Sequence, residues 1–214
     1  MKILILGAAG QISRMLTNEL RNKTDHSIVL YARNGIKRLT TVDDSREVIF
    51  DGDFKSKDKL VDAMKNVDLV YINDMGDDES TKTIIDAMHD TGVRRVIAAS
   101  VLGIYDEVPG AFGEWNKRMI GGSPRMRSQI ESARKLENSN LDYTLLRLTW
   151  LYNQAGNTNY LITQKGEPFK GAQVTRQAVT QLIMDIIEEK SAKYHKNSLG
   201  VGEPGTDWSN PSFY

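Results

Sequence analysis

KILILGAAGQIS, residues 2–13, passes from strand to helix through a pair of glycines. Ile3 to Leu6 form an unbroken apolar run, the pattern of a strand covered on both faces. Gly10 to Arg21 then places Ile12, Met15, Leu16 and Leu20 at helical spacing. Gly7 permits the tight turn between them, Gly10 lets the backbone approach a bound group, and Ser13 is small enough for close helix–strand packing.

Outward from this unit the alternation continues. Ser27–Tyr31, Glu47–Phe50, Val67–Ile72, Arg95–Ala99 and Asp142–Leu146 read as further strands. Ser56 opens a helix carrying Leu60, Val61 and Met64, and Asp77-Asp78-Glu79 open another that stops at Gly92. A helix from about Arg125 to Asn138 precedes the sixth strand, and Thr175 caps a last amphipathic helix with Leu182, Ile183, Ile186 and Ile187. Strands this apolar, alternating with helices, predict an α/β fold: a doubly wound parallel sheet between two helical layers. Residues 1–214 read as one domain, with 191–214, polar and rich in Gly, Pro and Asn, as a surface tail. Residues 102–123 form either a substrate loop at the sheet's carboxyl edge or simply a long connection.

Bulk properties narrow the partners. Lys plus Arg and Asp plus Glu each number 28, so no overall field attracts nucleic acid or anionic lipid. The chain has no cysteine, which excludes disulfides and thiol catalysis. The apolar run at the N-terminus is too short for a signal peptide, and no stretch is long enough to span a membrane. A soluble, cytoplasmic protein is expected, with a small molecule as substrate and a homodimer left open. His26, His89 and His195 lack metal-ligand spacing, and no metal is expected.

A strand–GxxG–helix turn is where a dinucleotide's pyrophosphate meets the free N–H groups of a helix start. Gly7, Ala9, Gly10, Gln11 and Ile12 are the residues expected against it. The acidic residue that would hold the ribose 2′-OH of NAD is replaced by Tyr31-Ala32-Arg33, with Lys37 and Arg38 behind. A guanidinium there pairs with a 2′-phosphate, so NADP(H) is expected in preference to NAD(H). Asp53 and Phe54, after the third strand, are placed to meet the adenine, although Asp53 also suits a turn cap.

With Gly7, Gly10, Arg33, Asp53 and the segment Leu141–Arg147, the chain resembles the atypical short-chain dehydrogenase/reductases. Within them it resembles the compact Rossmann-fold NAD(P)H-binding group of NmrA-like proteins and biliverdin/flavin reductases. The resemblance implies a catalytic Ser followed by Tyr-x-x-x-Lys. Ser100, closing the fifth strand, matches the Ser and is expected against both cofactor and substrate, but the Lys slot falls near Gln129 and the Tyr slot near Arg125. The dyad is absent. Tyr105 is the candidate substitute donor, and Asp106 and Glu107 read as acid/base groups or as loop charges. Arg125 and Arg127 suit an anionic acceptor or an exposed helix face, and Trp115, Trp150 and Tyr152 suit a wall for a planar substrate or plain packing. The expectation is an NADPH-dependent oxidoreductase delivering hydride to a small planar acceptor such as a flavin or quinone, which can take its proton from water. The alternatives are a non-catalytic NAD(P)-binding redox sensor and an epimerase- or dehydratase-like enzyme.

Overall fold

In chain order the elements are β1 (Lys2–Leu6), α1 (Gln11–Lys23), β2 (Ser27–Ala32), α2 (Gly35–Arg38), β3 (Glu47–Asp51), α3 (Lys57–Ala63), β4 (Leu69–Ile72), α4 (Asp78–Thr91) and β5 (Arg95–Val101). There follow α5 (Gly110–Ile120), α6 (Pro124–Glu137), β6 (Asp142–Leu148), β7 (Trp150–Tyr152), β8 (Leu161–Thr163), β9 (Gln173–Thr175), α7 (Arg176–Glu188) and β10 (Asn197–Gly202). This computed structural model describes all 214 residues.

Eight strands form one sheet in the order β3-β2-β1-β4-β5-β6-β10-β8, parallel throughout except where β8 runs antiparallel to β10. Strand geometry explains the buried run in β1: successive side chains face opposite ways, so Ile3 and Ile5 enter one core while Leu4 and Leu6 enter the other. The first core is roofed by α1 and α7, the second by α3, α4 and α6. Each fully buried Ile or Leu contributes about 1.5–3 kcal/mol of transfer free energy, and β1 places four at zero exposure. The expected three-layer, doubly wound Rossmann architecture is what forms. From β1 the chain winds outward through β2 to β3, and from β4 it winds the other way, so the winding reverses between β1 and β4. That reversal opens a crevice beyond their carboxyl ends.

Three elements differ from the sequence reading. Residues 191–214 are not all surface tail: β10 lies inside the sheet, parallel to β6, with Leu199 and Val201 fully buried. Its glycines, which made it look like a loop, are required by packing. A Cβ at Gly200 would stand 2.3 Å from Thr163 Oγ1, and one at Gly202 would stand 2.1 Å from the carbonyl of Lys170. Residues 102–123 contain α5 rather than a bare loop. Ser56 precedes α3 but makes no capping bond, whereas Thr175 does cap α7, accepting from the N–H of Ala178 at 2.9 Å.

Arg147, on β6, is completely buried. Its guanidinium reaches Glu107 Oε1 at 2.8 Å and donates to the carbonyls of Thr163 and Ser198 at 3.3 and 3.2 Å. Glu107, its side chain only 5% exposed, also accepts from the N–H groups of Gly103 and Tyr105. Removing one charge from such a pair leaves the other buried and uncompensated. Glu107→Gln is therefore expected to lower the unfolding free energy by about 3–5 kcal/mol, read from urea denaturation. An Arg147→Met/Glu107→Leu double variant should recover only part of that loss, because Gly103 and Tyr105 still lose their acceptor.

Candidate active site

At the crevice the chain turns sharply. Gly7 has φ +83°, and the N–H groups of Gly7 and Ala8 both donate to the carbonyl of Tyr31, at 3.0 and 3.1 Å. Gly10 precedes α1 without any side-chain cap, and the first turn of α1 has no acidic residue. The helix thus presents its leading N–H groups and its positive end to the crevice. A Cβ on Gly10 would come within 2.5 Å of Asn73 Nδ2, so only glycine keeps this approach open.

A trough of about 650 Å³ runs from this turn, lined by Gly7, Ala9, Gly10, Arg33, Arg38, Asp53, Phe54, Asn73, Asp74, Gly76 and Asp77, among others. Its basic end is unneutralised. Arg33 is exposed and enters no ion pair, while Arg38 donates only to the carbonyl of Arg33 at 3.2 Å. The nearby carboxylate of Asp51 accepts from the N–H of Asn34 at 3.0 Å and forms no ion pair with either arginine. Asp53 closes a turn by accepting from Lys55 N–H at 2.8 Å. The Phe54 ring stacks on Tyr31 with centroids 6.1 Å apart. Free amides, an uncapped helix start and arginines without acidic partners make a donor set suited to a dinucleotide carrying an extra phosphate.

Next to the trough lies a cavity of about 470 Å³, with Asn73, Asp74 and Arg125 lining both. Gln11, Ile12, Ser100, Met126, Gln129, Leu148, Thr149, Leu151 and Arg176 also face it. Here the slots expected to hold Tyr and Lys are occupied by a polar chain. Ser100 Oγ lies 2.9 Å from Gln129 Oε1, Gln129 Nε2 lies 3.4 Å from Asp74 Oδ1, and Arg125 Nη2 lies 2.7 Å from the same oxygen. A carboxylate only accepts, so it orients the amide with its NH₂ toward Asp74 and its carbonyl toward Ser100. Ser100 must then donate to Gln129, and only its lone pairs remain for a ligand.

Other sequence candidates fall elsewhere. Tyr105 lines neither cavity. Its hydroxyl donates to Glu137 Oε1 at 2.6 Å and contacts Ser198 Oγ, and its ring lies between Arg147 and Lys165. Burial, then the Glu137 hydrogen bond, pushes its phenol well above the ordinary range. As a substitute donor Tyr105 is corrected to a packing residue, because the buried Glu107 pair fixes its loop away from the crevice. Asp106 pairs at the surface with Lys117. Trp115 and Trp150 do not wall the cavity; they cluster with Tyr214, and Tyr152 meets Phe213. Alternation along β7 gives the reason: Leu151 faces the cavity, so its neighbours Trp150 and Tyr152 point the opposite way. Arg127 donates to the carbonyl of Gly122 and lies outside both cavities. Two charged cavity residues escaped the sequence reading. Asp74 was hidden in an acidic run ahead of α4. Arg176 directly follows the cap Thr175, and that position beside a helix start at the carboxyl edge was the signal that could have found it.

With this geometry in hand, the relatives fall into place. A sequence profile of the NAD(P)H-binding family matches residues 7–190. The chain is 37% identical to a short-chain dehydrogenase/reductase from Veillonella parvula DSM 2008, solved in complex with NADP, with a TM-score of 0.95 and 99% of each chain covered. It shares the fold of ChuY, an anaerobillin reductase from Escherichia coli O157:H7, at 20% identity and TM-score 0.79, covering 96% of this chain and 98% of that one. It is 23% identical, over 95% of each chain, to the uncharacterized sugar epimerase YhfK of Bacillus subtilis strain 168. The chain belongs to the NAD(P)H-binding family, among the atypical short-chain dehydrogenase/reductases. No helix is long and apolar enough to cross a membrane.

If Tyr105 is a packing residue, Tyr105→Phe should cost about 1–2 kcal/mol of stability through the lost Glu137 hydrogen bond. NADPH affinity, followed by fluorescence titration, should stay at the wild-type value.

Proposed function

We propose that the protein is an NADPH-dependent reductase of a small, planar, conjugated acceptor such as a flavin or quinone. The observation that carries this reading is the absence of an acid from the cavity beside the trough. No Tyr, Lys, His or Cys lines it. The Ser100 hydroxyl donates its hydrogen bond to Gln129, Ser123 donates to the carbonyl of Ile120, and Thr149 Oγ1 is sealed off from the surface. A ketone needs an acid at its developing alkoxide, whereas an electron-poor conjugated acceptor does not. When bound, NADPH supplies the hydride, and water supplies the proton.

The chain's own part is binding and alignment. The Gly7–Ile12 turn receives the phosphates, Arg33 and Arg38 hold the 2′-phosphate, and Asp53 and Phe54 flank the adenine. Ser100 accepts a hydrogen bond from an N–H or O–H near the reacting atoms wherever the bound molecules carry one, and Gln129 and Asp74 hold its hydroxyl in orientation. Ile12, Met126, Leu148 and Leu151 supply an apolar surface for the planar ring. The bound NADP of the Veillonella relative supports the cofactor choice, and the E. coli reductase supports the reaction class. The epimerase named among the relatives finds no support in the cavity, which lacks a tyrosine.

NADPH oxidation with FMN, riboflavin and simple quinones tests the reading. Tight NADPH binding without oxidation by any acceptor would replace it with a redox sensor. Arg33→Ala should weaken NADPH about 10- to 100-fold by removing charge-assisted bonds to the 2′-phosphate, while NADH binding changes by less than about threefold. Ser100→Ala should lower kcat about fivefold, the cost of one positioning hydrogen bond, rather than the ~10²–10⁴ of a lost general acid. For the same reason kcat/KM should be flat from about pH 6 to about pH 9, since no His, Cys, Lys or Tyr in the cavity titrates there. A bell-shaped profile in that window would show an acid or base that the cavity does not contain.

A further inference from the structure

The acceptor cavity carries an uncompensated cation. Three charged residues line it: Asp74, Arg125 and Arg176. Asp74 and Arg125 neutralise each other across 2.7 Å. Arg176 has no ion-pair partner, and its single side-chain hydrogen bond goes to the neutral Asn153 Oδ1 at 3.3 Å. The guanidinium is partly buried, and that burial holds its pKa below the ordinary arginine value. Arg176 is also the first residue of α7, whose first turn has no acidic residue. A cation at the positive end of a helix is disfavoured. Desolvation, the missing counter-charge and the helix dipole therefore act on this side chain in the same unfavourable direction, and an anion beside it reverses all three.

We infer that Arg176 is the anion-holding residue of the acceptor cavity, so that the natural acceptor is a planar ring system bearing a carboxylate, phosphate or other oxyanion. The planar fork of a guanidinium matches such a group bidentately. The cofactor's own phosphates are the competing source of an anion. They are served by the trough, whose lining contains Gly7, Gly10, Arg33 and Arg38 but not Arg176. Arg176 instead shares its cavity with Ser100 and Gln129. One end of the acceptor is thus held by charge, and the lone pairs of Ser100 meet the reacting end. The inference rests on the reading of this cavity as the acceptor site.

FMN and riboflavin test it, because they share one ring system and differ by a phosphate. A naphthoquinone sulfonate and its parent quinone form a second matched pair. Binding is measured by calorimetry with NADP⁺ present, so that no hydride is available and affinity is read without turnover. The wild type should prefer the anionic member of a pair about tenfold or more, the scale of one charge-assisted bidentate contact. Arg176→Met should bring that ratio close to one, and Arg176→Lys, which keeps the charge, should retain part of it. Absence of any preference for the anionic member in either pair overturns the inference. So does an Arg176→Met variant that loses NADP⁺ affinity while keeping the wild-type ratio, since Arg176 would then serve the cofactor. The reductase reading fails separately: an anionic preference that depends on Arg176, with no NADPH oxidation, leaves the anion site standing and removes the reaction.

Discussion

The buried pair of Arg147 and Glu107 ties together parts of the chain that no local pattern connects. The guanidinium sits on β6, its carboxylate partner lies in the loop after β5, and its two carbonyl acceptors belong to β8 and β10. Such a pair gains little net stability over well-packed apolar residues, because two ions must leave water. Arg147 even keeps one nitrogen, Nε, buried without a partner. What the pair supplies is placement. Glu107 takes the N–H groups of Gly103 and Tyr105, so the chain leaving β5 is held within a few residues of Ser100. The same guanidinium sets β10 beside β6 and the antiparallel β8 beyond it.

The site has two different mechanical characters as a result. The Ser100 end is rigid: its hydroxyl is bonded to an amide that a carboxylate orients, and it stands on a strand fixed from both sides. The Arg33 end stands on exposed chain after β2 and on the short helix α2. Hydride transfer tolerates little misplacement of the reacting atoms, whereas a long arginine can follow a phosphate through its own rotamers. Hydrogen-bonded anchoring is concentrated where geometry decides a rate, and exposed, unpaired side chains stand where charge alone suffices.

Much of this fold was legible in the sequence because it is written in local periods. The apolar runs of β1 to β6, the helical spacing in α1 and α7, and the glycine that ends α4 at φ +73° are all features of neighbouring residues. The glycine turn was legible for the same reason. What escaped was non-local. Nothing in Asn197–Gly202 shows that Gly200 and Gly202 are small because Thr163 and the Lys170 carbonyl lie against them. Arg147 stood inside a recognised segment, yet a lone arginine at a strand end does not reveal that its carboxylate is forty positions back in the chain. Tyr105 was misplaced, and the tryptophans stayed open between substrate wall and packing, for a related reason. Composition indicates that a phenol or an indole is present, but strand alternation and loop anchoring decide which way it points.

The polarity of the Ser100 chain links these observations to chemistry. A serine at the end of β5 is open to either role, donor or acceptor, until its neighbours are known. Asp74 cannot donate while ionised, Gln129 can satisfy it only with its NH₂, and the remaining carbonyl takes the Ser100 proton. Arg125 pairs with the same carboxylate oxygen at 2.7 Å. Three residues, Gln129 and Arg125 on α6 and Asp74 after β4, thus leave the Ser100 hydroxyl as a fixed acceptor. A site arranged in this way can orient a substrate that already carries its own hydrogen-bond donor. On the proposed reductase reading, a cavity lined by no Tyr, Lys, His or Cys suits an acceptor that needs no acid at its reacting centre, so Gln129 and Arg125 bear on the class of molecule reduced and not only on the rate.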